Sequence, residues 1–160
     1  MREVFNFSAG PAMLPEEVLK QAQEEMFSLR GSGMSAMEIS HRSAEFDAVL
    51  QESKDDLRDL LKIPDNYDIL YMQGGASTQF AGIPMNLAKN QKADYIVSGS
   101  WSNKAWKEAD YFMDAKVVAS SKEQNFSTIP DVTKIDYCDD ADYTYFCMNE
   151  TIQGTHYAEF

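Results

Sequence analysis

The sequence predicts an α/β protein with a mostly parallel sheet and flanking helices. Three observations predict it. From Tyr67 onward, short apolar runs alternate with helical patterns, the order that joins parallel strands through crossover helices. The runs Tyr95-Ile96-Val97-Ser98 and Lys116-Val117-Val118-Ala119, and residues 143–148, are rich in β-branched and aromatic side chains. Gly74-Gly75, Gly99-Ser100-Trp101 and Asn149-Glu150-Thr151 each follow a predicted strand. Ligands of such sheets bind beyond the carboxyl ends of the strands.

The elements follow in order. Residues 1–14 form an arm with a turn-prone centre, Ser8-Ala9-Gly10-Pro11. Pro15-Glu16-Glu17 opens a helix, since proline suits the first turn and acids suit its positive end. Val18, Leu19, Ala22, Met26 and Leu29 continue it at helical spacing, and Gly31 and Gly33 end it. Residues 31–42 read as a loop. A second helix starts near Ser43, with Phe46, Val49, Leu50, Leu57, Leu60 and Leu61 on one stripe and Pro64 closing it.

Residues 67–73 read as the first strand, and residues 77–88 as a helix kinked at Pro84. The strand at residues 95–98 stops at Gly99. A helix over 100–112 then buries Trp101, Ala105, Ala109 and Phe112. The strand at 116–119 follows, then a polar, turn-rich stretch over 120–142, then the strand at 143–148.

Composition narrows the function. The chain has 160 residues, of which 44% are hydrophobic and 12% aromatic, enough for one domain with a real core. Its formal net charge of -12 argues against a nucleic-acid partner. An anionic small molecule is compatible with it, because a local field can oppose the net charge. Cys138 and Cys147 are the only cysteines, with neither a disulfide framework nor metal-ligand spacing, and read as buried cytosolic thiols. No signal peptide and no apolar run of membrane-spanning length is seen, so the expected location is cytoplasmic.

The candidate chemistry starts at Met72-Gln73-Gly74-Gly75-Ala76-Ser77-Thr78. Two glycines let the backbone turn sharply and approach a ligand, and a helix entrance offers unpaired N–H groups to an anion such as phosphate. The spacing is neither that of a P-loop nor that of a dinucleotide fingerprint. A tight turn alone is the plainer reading of the bare pattern. Trp101 reads as a core residue or as a face for a flat ligand, and Thr151 as a hydroxyl donor or a turn cap. Arg42, beside His41, offers a planar fork to an anion or a surface salt bridge to one of the 26 acids. The acidic runs at residues 52–56 and at Asp139-Asp140 read as solvated faces.

Taken together, five ordered motifs resemble the phosphoserine aminotransferase family. They are residues 6–12, Met37-Glu38-Ile39-Ser40-His41-Arg42-Ser43, residues 73–80, Ala93-Asp94-Tyr95 with Gly99-Ser100-Trp101-Ser102, and Asn149-Glu150-Thr151-Ile152-Gln153-Gly154. The resemblance implies a pyridoxal 5'-phosphate enzyme of the aspartate-aminotransferase fold (fold type I). The substrates it implies are O-phospho-L-serine, glutamate and 2-oxoglutarate. A related phosphorylated substrate of pyridoxine biosynthesis is a second implied activity, and a homodimer the implied assembly. The implied cofactor groups are the backbone N–H of Ala76 and Ser77, the indole of Trp101 and the hydroxyl of Thr151. Arg42 and His41 are the implied substrate-binding pair. Some family members carry arginine where this chain has Ser77, so the role implied there is the backbone's.

The resemblance also implies that residues 15–160 are an incomplete large domain. The family's Schiff-base lysine, its ring-nitrogen aspartate and its small C-terminal domain all lie beyond Phe160. The chain alone is therefore expected to be inactive, with no catalytic residue of its own. The competing readings are another enzyme of similar fold, such as an alanine–glyoxylate aminotransferase or a cysteine desulfurase, and a non-catalytic phosphate-binding or dimerisation module.

Overall fold

The structure, a computed structural model, describes residues 3–8, 10 and 12–158. Ala9 and Pro11 of the predicted arm turn, and the chain ends at Met1, Arg2, Glu159 and Phe160, lie outside the described residues. The chain divides into two compact units, Met1–Tyr71 and Met72–Phe160.

The first unit is helical. Helix α1 spans Glu16–Glu24, five residues shorter than the periodicity predicts. Glu24 and Glu25 place negative charge at the helix's negative end, which disfavours extension. The chain turns instead, with the Gly33 N–H donating to Ser28 Oγ (2.9 Å) and the Leu29 N–H to the Met34 carbonyl (2.9 Å). Helix α2 spans Ala44–Leu61, and the Ser43 hydroxyl caps it by accepting the Phe46 N–H. It ends at Lys62 in the left-handed region, two residues before Pro64. The Arg58 guanidinium holds that exit by donating to the carbonyls of Ile63, Pro64 and Tyr67 at 3.2, 2.8 and 2.9 Å. The predicted stripe on α2 is not a buried one, since Leu60 and Leu61 are exposed.

The second unit holds the sheet. In order come α3 (Gly75–Leu87), β1 (Lys92–Val97), α4 (Ser100–Ala109), β2 (Asp114–Ser120), β3 (Tyr143–Tyr145) and the pair β4 (Asn149–Glu150) and β5 (Thr155–His156). The three-stranded sheet has the order β2-β1-β3, and both pairings are parallel. The α/β expectation therefore holds. Strand β1 is buried on both faces, as the centre of a covered parallel sheet must be. Its register against β2 slips by one between Tyr95 and Ile96.

The expected strand at residues 67–73 does not form. That segment has no strand partner among the described residues, and Leu70 and Met72 are exposed. An apolar run becomes a strand only when another strand takes its backbone hydrogen bonds. Likewise β3 stops at Tyr145 instead of Met148, α4 stops at Ala109, and Phe112 is exposed.

One face of the sheet packs on α3 and α4. Phe80, Ala93, Tyr95, Val97, Ala105, Ala109, Met113 and Ala115 form the core. The alanines of α4 let the helix approach the sheet closely. The rings of Tyr95 and Tyr145 stack at 5.0 Å, and the hydroxyls of Tyr95 and Tyr143 share a hydrogen bond of 2.8 Å. Burial drives the phenols of Tyr95 and Tyr145 far above their ordinary pKa. At the opposite end of β1 the Asp142 carboxylate accepts the N–H groups of Lys89 and Asn90, each at 2.9 Å. Lys92 pairs with Asp140 at 2.5 Å. Asp140 is thus a partner within the fold and not only part of a solvated face.

Candidate functional site

Topology brings three chain segments to one rim. Helix α3 ends beside Asp142, just before β3, while Phe80 near its start meets Tyr145 at the end of β3, so the start of α3 lies toward the carboxyl ends of the parallel strands. Helix α4 leaves that same end of β1. Because β3 is parallel to β1, the segment after it, through β4, emerges on the same side.

The start of α3 is an open anion cradle. Gly74 and Gly75 have φ of 88° and 60°, a region that favours glycine, and a Cβ on Gly74 would stand 2.6 Å from Thr78 Cβ. The N–H groups of Gly75, Ala76 and Ser77 have no acceptor among the described residues, and all three residues are exposed. Thr78 is the first to bond back, to the Gly74 carbonyl at 3.4 Å.

The start of α4 is closed by the chain itself. The Glu150 carboxylate accepts the Trp101 N–H through Oε2 (2.8 Å) and the Ser102 N–H through Oε1 (2.9 Å). Gln153 Oε1 accepts the Ser100 N–H (3.1 Å), and Gln153 Nε2 donates to Ser100 Oγ (2.7 Å). Ser102 Oγ accepts from the N–H groups of Ser98 and Gly99. Of the two helix starts at the rim, α4 already holds an anion and α3 does not.

Trp101 and Thr151 meet directly. The indole Nε1–H donates to Thr151 Oγ1 at 2.8 Å. Thr151 is an acceptor in that bond, so its own proton is left for another acceptor. Trp101 is half-buried, and Lys104 Nζ lies over its ring at 4.6 Å from the centroid. A stacked ligand would therefore use the opposite indole face.

The other predicted residues belong to the first unit. His41 and Arg42 lie in an exposed turn just before α2, where the Arg42 N–H donates to Ser40 Oγ (3.2 Å). The surface salt bridge that was the plainer reading of Arg42 is not found: its guanidinium has no carboxylate partner among the described residues. Both cysteines are free and half-buried, and burial raises the Cys147 thiol.

Sequence reasoning missed Glu150 and Gln153. Both lie inside a motif it singled out, but a carboxylate capping a helix 49 residues upstream leaves no local signature. A cavity of about 350 Å³ between α4 and β2, lined by Asn103, Trp106, Ser120 and Lys122 among others, contains none of the predicted site residues. The start of α3 is exposed, so an enclosed volume is not the feature that marks it.

Comparison with known proteins gives the family and the fold. The aminotransferase class-V family matches residues 4–159. The phosphoserine aminotransferase of Ralstonia nicotianae is 50% identical over 98% of this chain, which covers 43% of that protein. The solved phosphoserine aminotransferase of Bacillus circulans subsp. alkalophilus superposes with a TM-score of 0.92 at 47% identity, over 97% of this chain and 43% of its own. A pyridoxal-phosphate-bound phosphoserine aminotransferase from Trichomonas vaginalis superposes with a TM-score of 0.87 at 37% identity, over 98% of this chain and 44% of its own. The chain thus spans somewhat under half the length of these relatives. No helix among the described residues is long and apolar enough to cross a membrane.

Proposed function

The chain belongs to the aminotransferase class-V family, and on that premise we propose that the whole protein transfers the amino group between O-phospho-L-serine and 2-oxoglutarate. The reading takes pyridoxal 5'-phosphate as its cofactor and a cytoplasmic homodimer as its form. The related phosphorylated substrate of pyridoxine biosynthesis is a second substrate in the same reading.

One observation carries it: three free, exposed N–H groups at residues 75–77 open onto the same rim as the Trp101–Thr151 pair. These groups fit the cofactor. The N–H groups of Ala76 and Ser77, at the positive end of α3, bind its phosphate. The free face of Trp101 packs on its ring, and Thr151 donates its remaining proton to the ring's phenolic oxygen. When bound, the cofactor supplies an electron-withdrawing ring that stabilises negative charge at the substrate α-carbon.

Arg42 and His41 bind the substrate anion. A guanidinium presents two parallel donors to a carboxylate or phosphate, and that of Arg42 has no carboxylate partner to give up among the described residues.

An assay of the whole protein with added pyridoxal phosphate tests the reading. Glutamate should form from 2-oxoglutarate with O-phospho-L-serine as donor, and far more slowly with alanine or cysteine. Equal turnover with an unphosphorylated donor would point to another enzyme of this family.

A further inference from the structure

We propose that Glu150 is a positioning residue that sets the Trp101–Thr151 pair, a role that rests on the reading of this rim as a pyridoxal-phosphate site. Glu150 is only 1% exposed, and both its carboxylate oxygens are engaged by consecutive backbone N–H groups. A buried carboxylate is stable only when so satisfied.

The arithmetic of neighbours gives the bonds their purpose. Glu150 immediately precedes Thr151, and it grips the backbone of Trp101 itself and of Ser102. The two residues whose side chains meet at 2.8 Å are thus fixed through one carboxylate. The Gly154 N–H donates to the Glu150 carbonyl at 2.8 Å and closes the turn that carries Thr151. The Gln153–Ser100 bonds pin the same turn to α4 a second time. Among the described residues the Glu150 carboxylate bonds to the backbone at the start of α4 and not to the N–H groups of residues 75–77. It acts through Trp101 and Thr151.

A helix cap alone would stabilise α4 without affecting what the rim binds. The two roles separate in one experiment, because Trp106 serves as an internal control. Its indole N–H donates to the Ala115 carbonyl at 2.7 Å, on the same helix but away from Glu150. In Glu150→Ala, the indole N–H resonance of Trp101 should move toward that of free tryptophan while that of Trp106 stays in place. The dissociation constant for pyridoxal phosphate, by equilibrium dialysis, should rise at least about tenfold. Glu150→Gln keeps one acceptor and should fall between.

An unmoved Trp101 resonance makes Glu150 a cap only and overturns the proposal, as does a moved one with an unchanged dissociation constant, which leaves Glu150 without effect on what the rim binds. Loss of the fold in Glu150→Ala, seen as movement of both indoles, transfers the same two readouts to Glu150→Gln. If the unsubstituted protein binds no pyridoxal phosphate, the reading of the rim fails, and the Trp101 resonance alone decides whether Glu150 sets the pair.

Discussion

Gly99 leaves the space that the Glu150 carboxylate occupies: a Cβ on Gly99 would stand 2.5 Å from Glu150 Oε2. Its φ of 179° is extended backbone that any residue can adopt, so the demand at this position is for room and not for conformation. Glu150 cannot retreat without giving up the N–H groups of Trp101 and Ser102.

Gly99→Ala should therefore destabilise the protein by about 1–3 kcal/mol, the usual cost of overpacking a well-filled site. Gly82→Ala is the control. Its Cβ would meet only Gln79 Oε1 at an ordinary 3.5 Å, within α3. Alanine there should be neutral or stabilising by up to about 1 kcal/mol through helix propensity. Urea denaturation of both variants, followed by near-ultraviolet circular dichroism, reads the difference.

Arg42→Ala in the whole protein should raise the Michaelis constants for phosphoserine and glutamate at least about tenfold, since one charge-assisted bond is worth about 1.5–3 kcal/mol and ~1.4 kcal/mol is a decade. Arg42→Lys should recover only part of the loss, because an ammonium lacks the planar fork. The absorbance of bound cofactor should be unchanged in both. Steady-state kinetics with both substrates checks this, and unaltered constants would return Arg42 to a solvent-facing role.

Asp142 should make the turn before β1 sensitive to acid. Burial pushes its carboxyl upward, but the N–H groups of Asn90, Lys89, Lys92 and Gln91 outweigh that and hold it below its ordinary value. A carboxyl lowered on folding contributes stability above its unfolded pKa of about 4. That contribution disappears as the pH falls through the lower folded value. Hydrogen-exchange protection of the Lys89 and Asn90 amides should accordingly hold at neutral pH and fall at acid pH below about 4. In Asp142→Asn it should be low at both.

Much of this was legible in the chain. Alternating runs from Tyr95 onward gave the parallel strands, and Gly74-Gly75 gave the open helix start. The helix near Ser43 announced itself through its apolar spacing and the proline after it. What stayed hidden is non-local. The segment at residues 69–72 has the composition of a strand, but a ladder needs a second strand, and composition does not say whether one is at hand. Glu150, Gln153 and Asp142 look like surface acids or amides in sequence, yet each satisfies backbone N–H groups about 50 residues away. For Trp101 the core was the plainer reading of the sequence, and the bond from its indole to Thr151, 50 residues away, has no local signature.

Binding of pyridoxal phosphate at this rim, with its phosphate on the start of α3, is tested by a nuclear magnetic resonance titration. The protein labelled with nitrogen-15 is titrated with pyridoxal phosphate and, separately, with pyridoxal. Pyridoxal phosphate should shift the backbone amides of Gly75, Ala76 and Ser77 together with the Trp101 indole, and pyridoxal without its phosphate should leave the three amides in place. Saturable shifts confined to other parts of the chain, with residues 75–77 and Trp101 unmoved, would contradict it.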